Sequence, residues 1–246
     1  MNANMSLGTT VTTVLFDLVD TLVEETEESA SLRYQTQVKA IYESLGNDGI
    51  VVDWHLFEKE YMEARRRQLA ASEETLREYD MAQRVTNVLS LFSISVSPTS
   101  ACVPKALDIY MDLWINTLTV KETTTASLAE LAKNYRLGLV TNFAHIPGAN
   151  RTIDRFRLRP YFQTILISGE FGWKKPSPRI FEAALHNLSS KPEETVFVGD
   201  NCKDDITGAK QMGMRTVFLQ RKDAKCSFAD ITVKSIAELP SVVRQL

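Results

Sequence analysis

Val11 to Phe16 form an apolar, β-branched run that passes directly into Asp17-Leu18-Val19-Asp20-Thr21. That pattern predicts a short buried strand ending in a polar loop. From Glu24 to about Asn116 the strand signal is lost and apolar residues recur at helical spacing. Val38, Ile41, Tyr42 and Leu45 make one stripe; Trp54, Phe57, Tyr61 and Met62 a second; Met81, Val85, Val88, Leu89 and Phe92 a third; Val103, Leu107, Tyr110, Leu113 and Trp114 a fourth. Breaks fall near Gly46 to Gly49, Ser72 to Glu74 and Ser95 to Ser100. Four helices with short loops predict a small bundle whose aromatic stripes are core.

After Thr119 strands and helices alternate. Strands are expected at Leu137 to Val140, Thr164 to Ile167, Thr195 to Val198 and Thr216 to Leu219. Helices are expected around Ser127 to Lys133, Asn150 to Phe156, Arg179 to Asn187 and Asp204 to Met212. Ala229 to Val233 adds an edge strand and Ile236 to Leu246 a closing helix. The fold class is therefore α/β: a doubly wound parallel sheet with helices on both faces and an inserted α-helical bundle. The expected division is a core of residues 1–22 and 120–246 with a helical cap of residues 23–119, joined by two chain crossings that permit a hinge.

Composition narrows the function more than the fold. Of 246 residues, 28 are Lys or Arg and 31 are Asp or Glu, a net charge of −3, which leaves no basic excess for a nucleic-acid backbone. The three cysteines, Cys102, Cys202 and Cys226, are odd in number, widely spaced and lack a CxxC pair. They read as reduced thiols rather than a disulfide framework or zinc site. Met1 to Thr13 reads as a frayed tail without a secretory pattern, and no run approaches the ~18 apolar residues of a membrane span. The expectation is a cytoplasmic protein, monomer or homodimer, that engages neither membrane nor nucleic acid.

In a parallel sheet the site lies beyond the carboxyl ends of the strands. Those positions here carry Asp17, then Thr141-Asn142, then Lys174-Lys175-Pro176 after a short loop, then Gly199-Asp200 followed by Asn201, Asp204 and Asp205. Converging carboxylates repel unless a cation sits between them, and oxygen donors suit a hard Mg²⁺ that also binds substrate phosphate. A lysine and a threonine hydroxyl would hold the remaining phosphate oxygens, and an aspartate in that field can act as nucleophile.

Four segments resemble the signature motifs of the haloacid dehalogenase superfamily: Phe16-Asp17-Leu18-Val19-Asp20-Thr21-Leu22; Leu139-Val140-Thr141-Asn142; Lys175-Pro176-Ser177-Pro178; and Val198-Gly199-Asp200-Asn201 through Asp205-Ile206-Thr207-Gly208-Ala209. Most members are Mg²⁺-dependent phosphohydrolases, and the helical insertion resembles the small α-helical, C1-type cap of one branch. The resemblance implies a small phosphorylated substrate and an aspartyl-phosphate at Asp17. Thr141 and Lys175 would be catalytic, and Thr141, Asn142 and Lys175 would bind substrate. Asp17, the backbone carbonyl of Val19 and Asp200 would hold the metal. Asn201, Asp204 and Asp205 would support them from behind, and Thr21 would brace the first loop.

One position departs from the family. Where its phosphatases carry a second aspartate, two residues after the nucleophile, this chain has Val19. Positioned acid–base catalysis is commonly worth ~10²–10⁴ in rate, so alkyl phosphates should turn over slowly; Asp20, one residue on, is expected to face away from the phosphate. Three readings stay open: a phosphohydrolase that is slow or selective for good leaving groups, a carbon–halogen or carbon–phosphorus hydrolase, and a phospho-ligand or protein binder with little turnover. A phosphonate hydrolase wants a cap lysine, for which Lys39 and Lys59 are the candidates. His145 is a candidate base, whereas His55 and His186 read as ordinary helix residues. Trp173 reads as packing rather than as a lid over substrate; the glutamates at 24, 25, 27 and 28 read as a solvated hinge face, and the run Arg65-Arg66-Arg67 as a solvated face that would favour an anionic substrate if it faced the cleft.

Overall fold

The computed structural model describes residues 10–25 and 30–246; the expectations for Glu27, Glu28 and most of the amino-terminal tail lie outside the described residues. Strand β1 (Thr13–Phe16) leads through β2 (Glu24–Glu25) into four helices, α1 (Ala30–Asn47), α2 (Trp54–Thr75), α3 (Met81–Ser90) and α4 (Cys102–Ile115), after which β3 (Leu118–Thr119) returns the chain. The remainder alternates: α5 (Glu122–Leu131), β4 (Arg136–Thr141), α6 (Ile146–Arg155), β5 (Thr164–Ile167), α7 (Ser168–Phe171), α8 (Pro178–Asn187), β6 (Thr195–Gly199), a π-helical turn (Cys202–Thr207), α9 (Gly208–Gln211), β7 (Arg215–Leu219), β8 (Ile231–Val233) and α10 (Leu239–Val243).

The sheet is six-stranded and parallel, in the order β5-β4-β1-β6-β7-β8. Alternation along β1 decides what each face buries, because neighbouring side chains point to opposite sides. Leu15 joins Val140, Phe197 and the apolar side of α8, whereas Val14 and Phe16 join the cluster that runs on through Val38, Phe57, Val85 and Leu107 of the helical insertion. β1 has β4 on one side and β6 on the other, which brings Asp17, Thr141 and the end of β6 to one sheet edge.

Two details differ from the pattern-based expectation. The break expected at Ser72 to Glu74 falls later: α2 continues to Thr75 and stops at Leu76, which takes the left-handed conformation (φ 56°), while the Ser72 hydroxyl donates to the Arg77 carbonyl at 2.6 Å. The two chain crossings also pair, Glu24 with Thr119 and Glu25 with Leu118, as a two-residue antiparallel ribbon. Strands this short carry no period of their own, so no hydrophobic pattern announces them.

The insertion meets the sheet half at a second place. Backbone bonds run from Glu78 to Gly172 (3.2 Å) and from Lys174 to Leu76 (3.0 Å). Trp173 lies between the guanidinium groups of Arg77 and Arg179, 4.4 and 4.1 Å from its ring, in the packing role expected of it. Glu73 receives Lys174 and, at 2.5 Å, Lys203.

The cysteine expectation is overturned for two of three thiols. Cys202 and Cys226 form a disulfide with Cα atoms 5.4 Å apart, and Cys102 is free and partly buried. Their separation of 24 residues matches no spacing motif; they meet because the loop after β7 folds back over the start of the π-helical turn.

Candidate active site

Asp17 follows β1 directly, its amide donating to the Val198 carbonyl at 3.0 Å, and it is 8% exposed. Lys175, 1% exposed, places its ammonium 2.6 Å from Asp17 Oδ1 and 2.8 Å from Asp205 Oδ1. Asp200, first residue after β6, has its Oδ1 2.9 Å from the Thr21 hydroxyl, which donates to it. Thr21 therefore braces the acidic turn as well as its own loop.

Asp205 is fixed from two sides, since its Oδ2 also accepts the Asn201 amide at 3.0 Å. Gly199 makes room for that carboxylate: a Cβ there would sit 2.2 Å from Asp205 Oδ2.

Asp17, Asp200 and Asp205 offer oxygens within 4.8 Å of one another. With Lys175 between two of them, the cluster carries three negative charges against one positive. Burial lifts the Asp17 carboxyl to about 7 against the pull of Lys175, with repulsion from Asp205 and Asp200 acting in the same direction as burial. Burial and Asp205 lift Asp200 to about 6. Lys175 is held up at about 12 by its two carboxylates despite its burial. An all-oxygen donor set with two uncompensated charges fits a hard divalent cation. Asp17, Asp200 and Val19 all border the same cleft.

The remaining expected residues separate into distinct roles. The Thr141 hydroxyl is buried in the cleft with no protein partner. Asn142 clamps the Lys175 backbone, accepting its amide (2.7 Å) and donating to its carbonyl (3.0 Å), so its first task is to position the lysine. Asn201 caps the π-helical turn, its Oδ1 accepting the Lys203 and Asp204 amides. Asp204 sits 3.4 Å from Asn142 Nδ2 with its other oxygen buried and unpartnered.

His145 does not offer a base. Its Nδ1 accepts the Gly148 amide at 3.0 Å as the cap of α6, and burial holds the imidazole below its ordinary range. Asp20 is exposed at the rim of the cleft, in the left-handed conformation (φ 58°). Lys39 lies over the rings of Tyr42 and Trp54, and Lys59 is exposed beside Glu60, so neither candidate cap lysine reaches the cleft.

Sequence reasoning missed Arg221, which donates to the Asp20 and Thr21 carbonyls at 2.6 and 3.1 Å and pairs with Glu24. It lies in the same loop as Cys226 and holds the first loop from outside. Nothing in its surroundings along the chain marks it. Also unforeseen is a second cavity of about 300 Å³ between the insertion and the sheet, with Val19 and Asn142 shared between it and the acidic cleft.

Carboxylates beyond two strand ends, Asp17 after β1 and Asp200 and Asp205 after β6, gather around one lysine and define a hydrolase site of the haloacid dehalogenase type, and comparison with known proteins agrees. Residues 11–213 match the family model described as haloacid dehalogenase-like hydrolase, and the chain belongs to that family. It is 31% identical over 210 residues to the glyceraldehyde 3-phosphate phosphatase of Methanopyrus kandleri, covering 85% of this chain and 83% of the relative. It is 36% identical over 128 residues to the protein of the same name from Methanocaldococcus jannaschii, a match that spans 50% of this chain and 56% of the relative's length. The 2-haloacid dehalogenase of Pseudomonas syringae shares the fold, with a TM-score of 0.74, 22% identity, and coverage of 96% of this chain and 99% of that one.

Proposed function

We propose that the protein is a Mg²⁺-dependent phosphohydrolase acting on a small phosphorylated metabolite, with Asp17 as the nucleophile. The observation that carries this reading is Asp17 held 2.6 Å from the Lys175 ammonium inside a three-carboxylate cluster. The phosphatases among its relatives support the reaction class. Asp17, Asp200 and the Val19 carbonyl would hold the ion, which when bound supplies charge neutralisation and polarises a phosphoryl oxygen.

In this reading a carboxylate oxygen of Asp17 attacks phosphorus, and the bond to the leaving oxygen breaks. Lys175 and the unpartnered Thr141 hydroxyl bind the phosphoryl oxygens. Asn142 fixes Lys175, and Asp205 fixes it from the opposite side. Asn201 shapes the turn that presents Asp200, and Asp204 steadies Asn142. Water then attacks the phosphorus of the acyl phosphate, releasing inorganic phosphate and regenerating the Asp17 carboxylate. Val19 carries no proton, so the departing oxygen takes its proton from solvent. Acyl and aryl phosphates, whose leaving groups need none, are the favoured substrates on chemistry alone.

The division into a core of residues 1–22 and 120–246 and a cap of residues 23–119 belongs to the same proposal, with the β2–β3 ribbon as its hinge. A cytoplasmic location is part of the same proposal, and trapping thiols directly in intact cells would read whether the Cys202–Cys226 bond is present there. Size-exclusion chromatography with light scattering separates monomer from homodimer. The deciding experiment follows phosphate release from a panel of phosphoesters and acyl phosphates with Mg²⁺. Turnover is expected, and a rate no higher than that of D17N defeats the reading. Halide release from 2-haloacids, insensitive to EDTA, would favour the dehalogenase reading instead.

A further inference from the structure

The second cavity has the opposite electrostatic character to the acidic cleft. Its wall holds Arg33, Arg65 and Arg84 and, among the described residues, neither aspartate nor glutamate. Arg33 already has a carboxylate partner, Glu25, at 2.8 Å. Arg84 has none among the described residues. It is 2% exposed; its Nε donates to Gln68 at 2.7 Å and its Nη1 to the Tyr61 hydroxyl at 3.3 Å, both neutral acceptors. Its Nη2 is buried without a partner, and no carboxylate pairs with Arg84 among the described residues.

Arg65 reaches the same cavity from α2. Its guanidinium lies 4.4 Å from the centre of the Tyr34 ring. Its neighbours Arg66 and Arg67 are exposed and turn to Glu63, the solvated arrangement expected of the whole run. Arg65 departs from that expectation: it is half-buried and has no salt bridge among the described residues.

A buried guanidinium cannot lose its proton, and taking a charge out of water costs several kcal/mol unless a counter-charge meets it. None comes from the described wall. The cavity joins the acidic cleft at Val19 and Asn142, which border both, so a ligand held at Asp17 and Lys175 extends past Val19 toward the arginines.

We propose that this cavity receives the carboxylate of a phosphate monoester whose phosphoryl group lies at Asp17, with Arg84 Nη2 and the Arg65 guanidinium as its counter-charges. The proposal rests on the phosphohydrolase reading and names its substrate class: a short phosphorylated carboxylic acid. A carboxylate suits the donors better than a second phosphate does. Two of Arg84's three nitrogens are engaged, leaving few donors for three phosphate oxygens, while Val19, Phe143 and Trp114 make the approach apolar. Glyceraldehyde 3-phosphate, named for the Methanopyrus and Methanocaldococcus relatives, has no such second anion.

3-Phosphoglycerate and glycerol 3-phosphate test this directly, because they differ only in a carboxylate for a hydroxymethyl group. With Mg²⁺, kcat/KM is expected to favour 3-phosphoglycerate by about 10- to 100-fold, the range for a hydrogen-bonded charge. R84Q and R65M should each collapse that ratio, and R66M, at an exposed paired arginine, should leave it unchanged. Equal kcat/KM for the two esters, or a ratio untouched in R84Q and R65M, overturns the proposal. A preference for propane-1,3-diol bisphosphate over 3-phosphoglycerate overturns the carboxylate assignment. Thermal unfolding accompanies each variant, and R65M carries the test if R84Q fails to fold. If neither alkyl ester is hydrolysed, the phosphohydrolase reading is judged separately, by the wider panel that includes acyl phosphates. Calorimetric binding of the two esters to D17N then decides the cavity: tighter 3-phosphoglycerate binding that is lost in D17N/R65M supports it, and equal binding overturns it.

Discussion

The two ends of the cleft are built on opposite principles. At the sheet end, three carboxylates crowd around one lysine and leave negative charge over; at the helical end, three guanidiniums, two of them without a carboxylate partner among the described residues, face a cavity without a described carboxylate. The sheet end is assembled around Asp17, Thr141 and Asp200, which end or directly follow strands, with Lys175 and Asp205 brought in by the loops beyond. The helical end is assembled from long side chains on α2 and α3. A site held on strand termini has the precision bond-breaking needs. In the proposed reading, reaction and recognition are separated in space, with Val19 at the boundary.

Removing Asp17, the proposed nucleophile, should have the largest effect on this arrangement. D17N is expected to lower phosphate release by roughly four orders of magnitude or more while leaving the preference for a carboxylate in binding intact. Loss of both would mean that the two ends are not independent. V19D comes next: it should raise turnover of alkyl phosphates by about 10²–10⁴ and that of acyl phosphates far less. An equal gain on both classes would exclude a missing proton donor as the limit.

A third prediction concerns the excess charge. Raised carboxyls favour the protonated fold, so Asp17, lifted from 3.8 to about 7, stabilises the metal-free protein at low pH and ceases to as pH rises through 7. Asp200 does the same through about 6. Metal binding must displace those protons. Calorimetric Mg²⁺ affinity should therefore fall as pH drops from 8 to 5, and the rise in Tm on adding Mg²⁺ should be greater at pH 8 than at pH 5. A flat profile would remove these carboxylates as the ion's ligands.

The smallest effect expected is on stability alone. Replacing Cys226 by serine opens a loop of 24 residues, and chain entropy sets the loss at about 3 kcal/mol, measurable by urea unfolding.

The sheet end was legible in the sequence because each residue sits at a fixed step beyond a strand that its apolar run announces. Asp17, Thr141 and Asp200 need only their own neighbours to be found. Lys175 follows a loop, and its motif located it. The helical end was legible only as one reading of the arginine run: Arg65 and Arg84 lie on different helices, and Arg65 has the same local sequence as Arg66 and Arg67, which face water. Cys202 and Cys226 meet only once β7 and the π-helical turn are in place. His145 shows the converse failure, since its position beside the second motif suggested chemistry while its nitrogen caps a helix.

The seam where α2 meets the sheet half has a consequence for the catalytic cycle. Glu73 with Lys174 and Lys203, and the backbone bonds of Leu76 and Glu78, tie the insertion to the sheet half at a second place besides the β2–β3 ribbon. Because charge pairs hold that seam together, opening of the insertion should depend on ionic strength, and so should any step that needs it open.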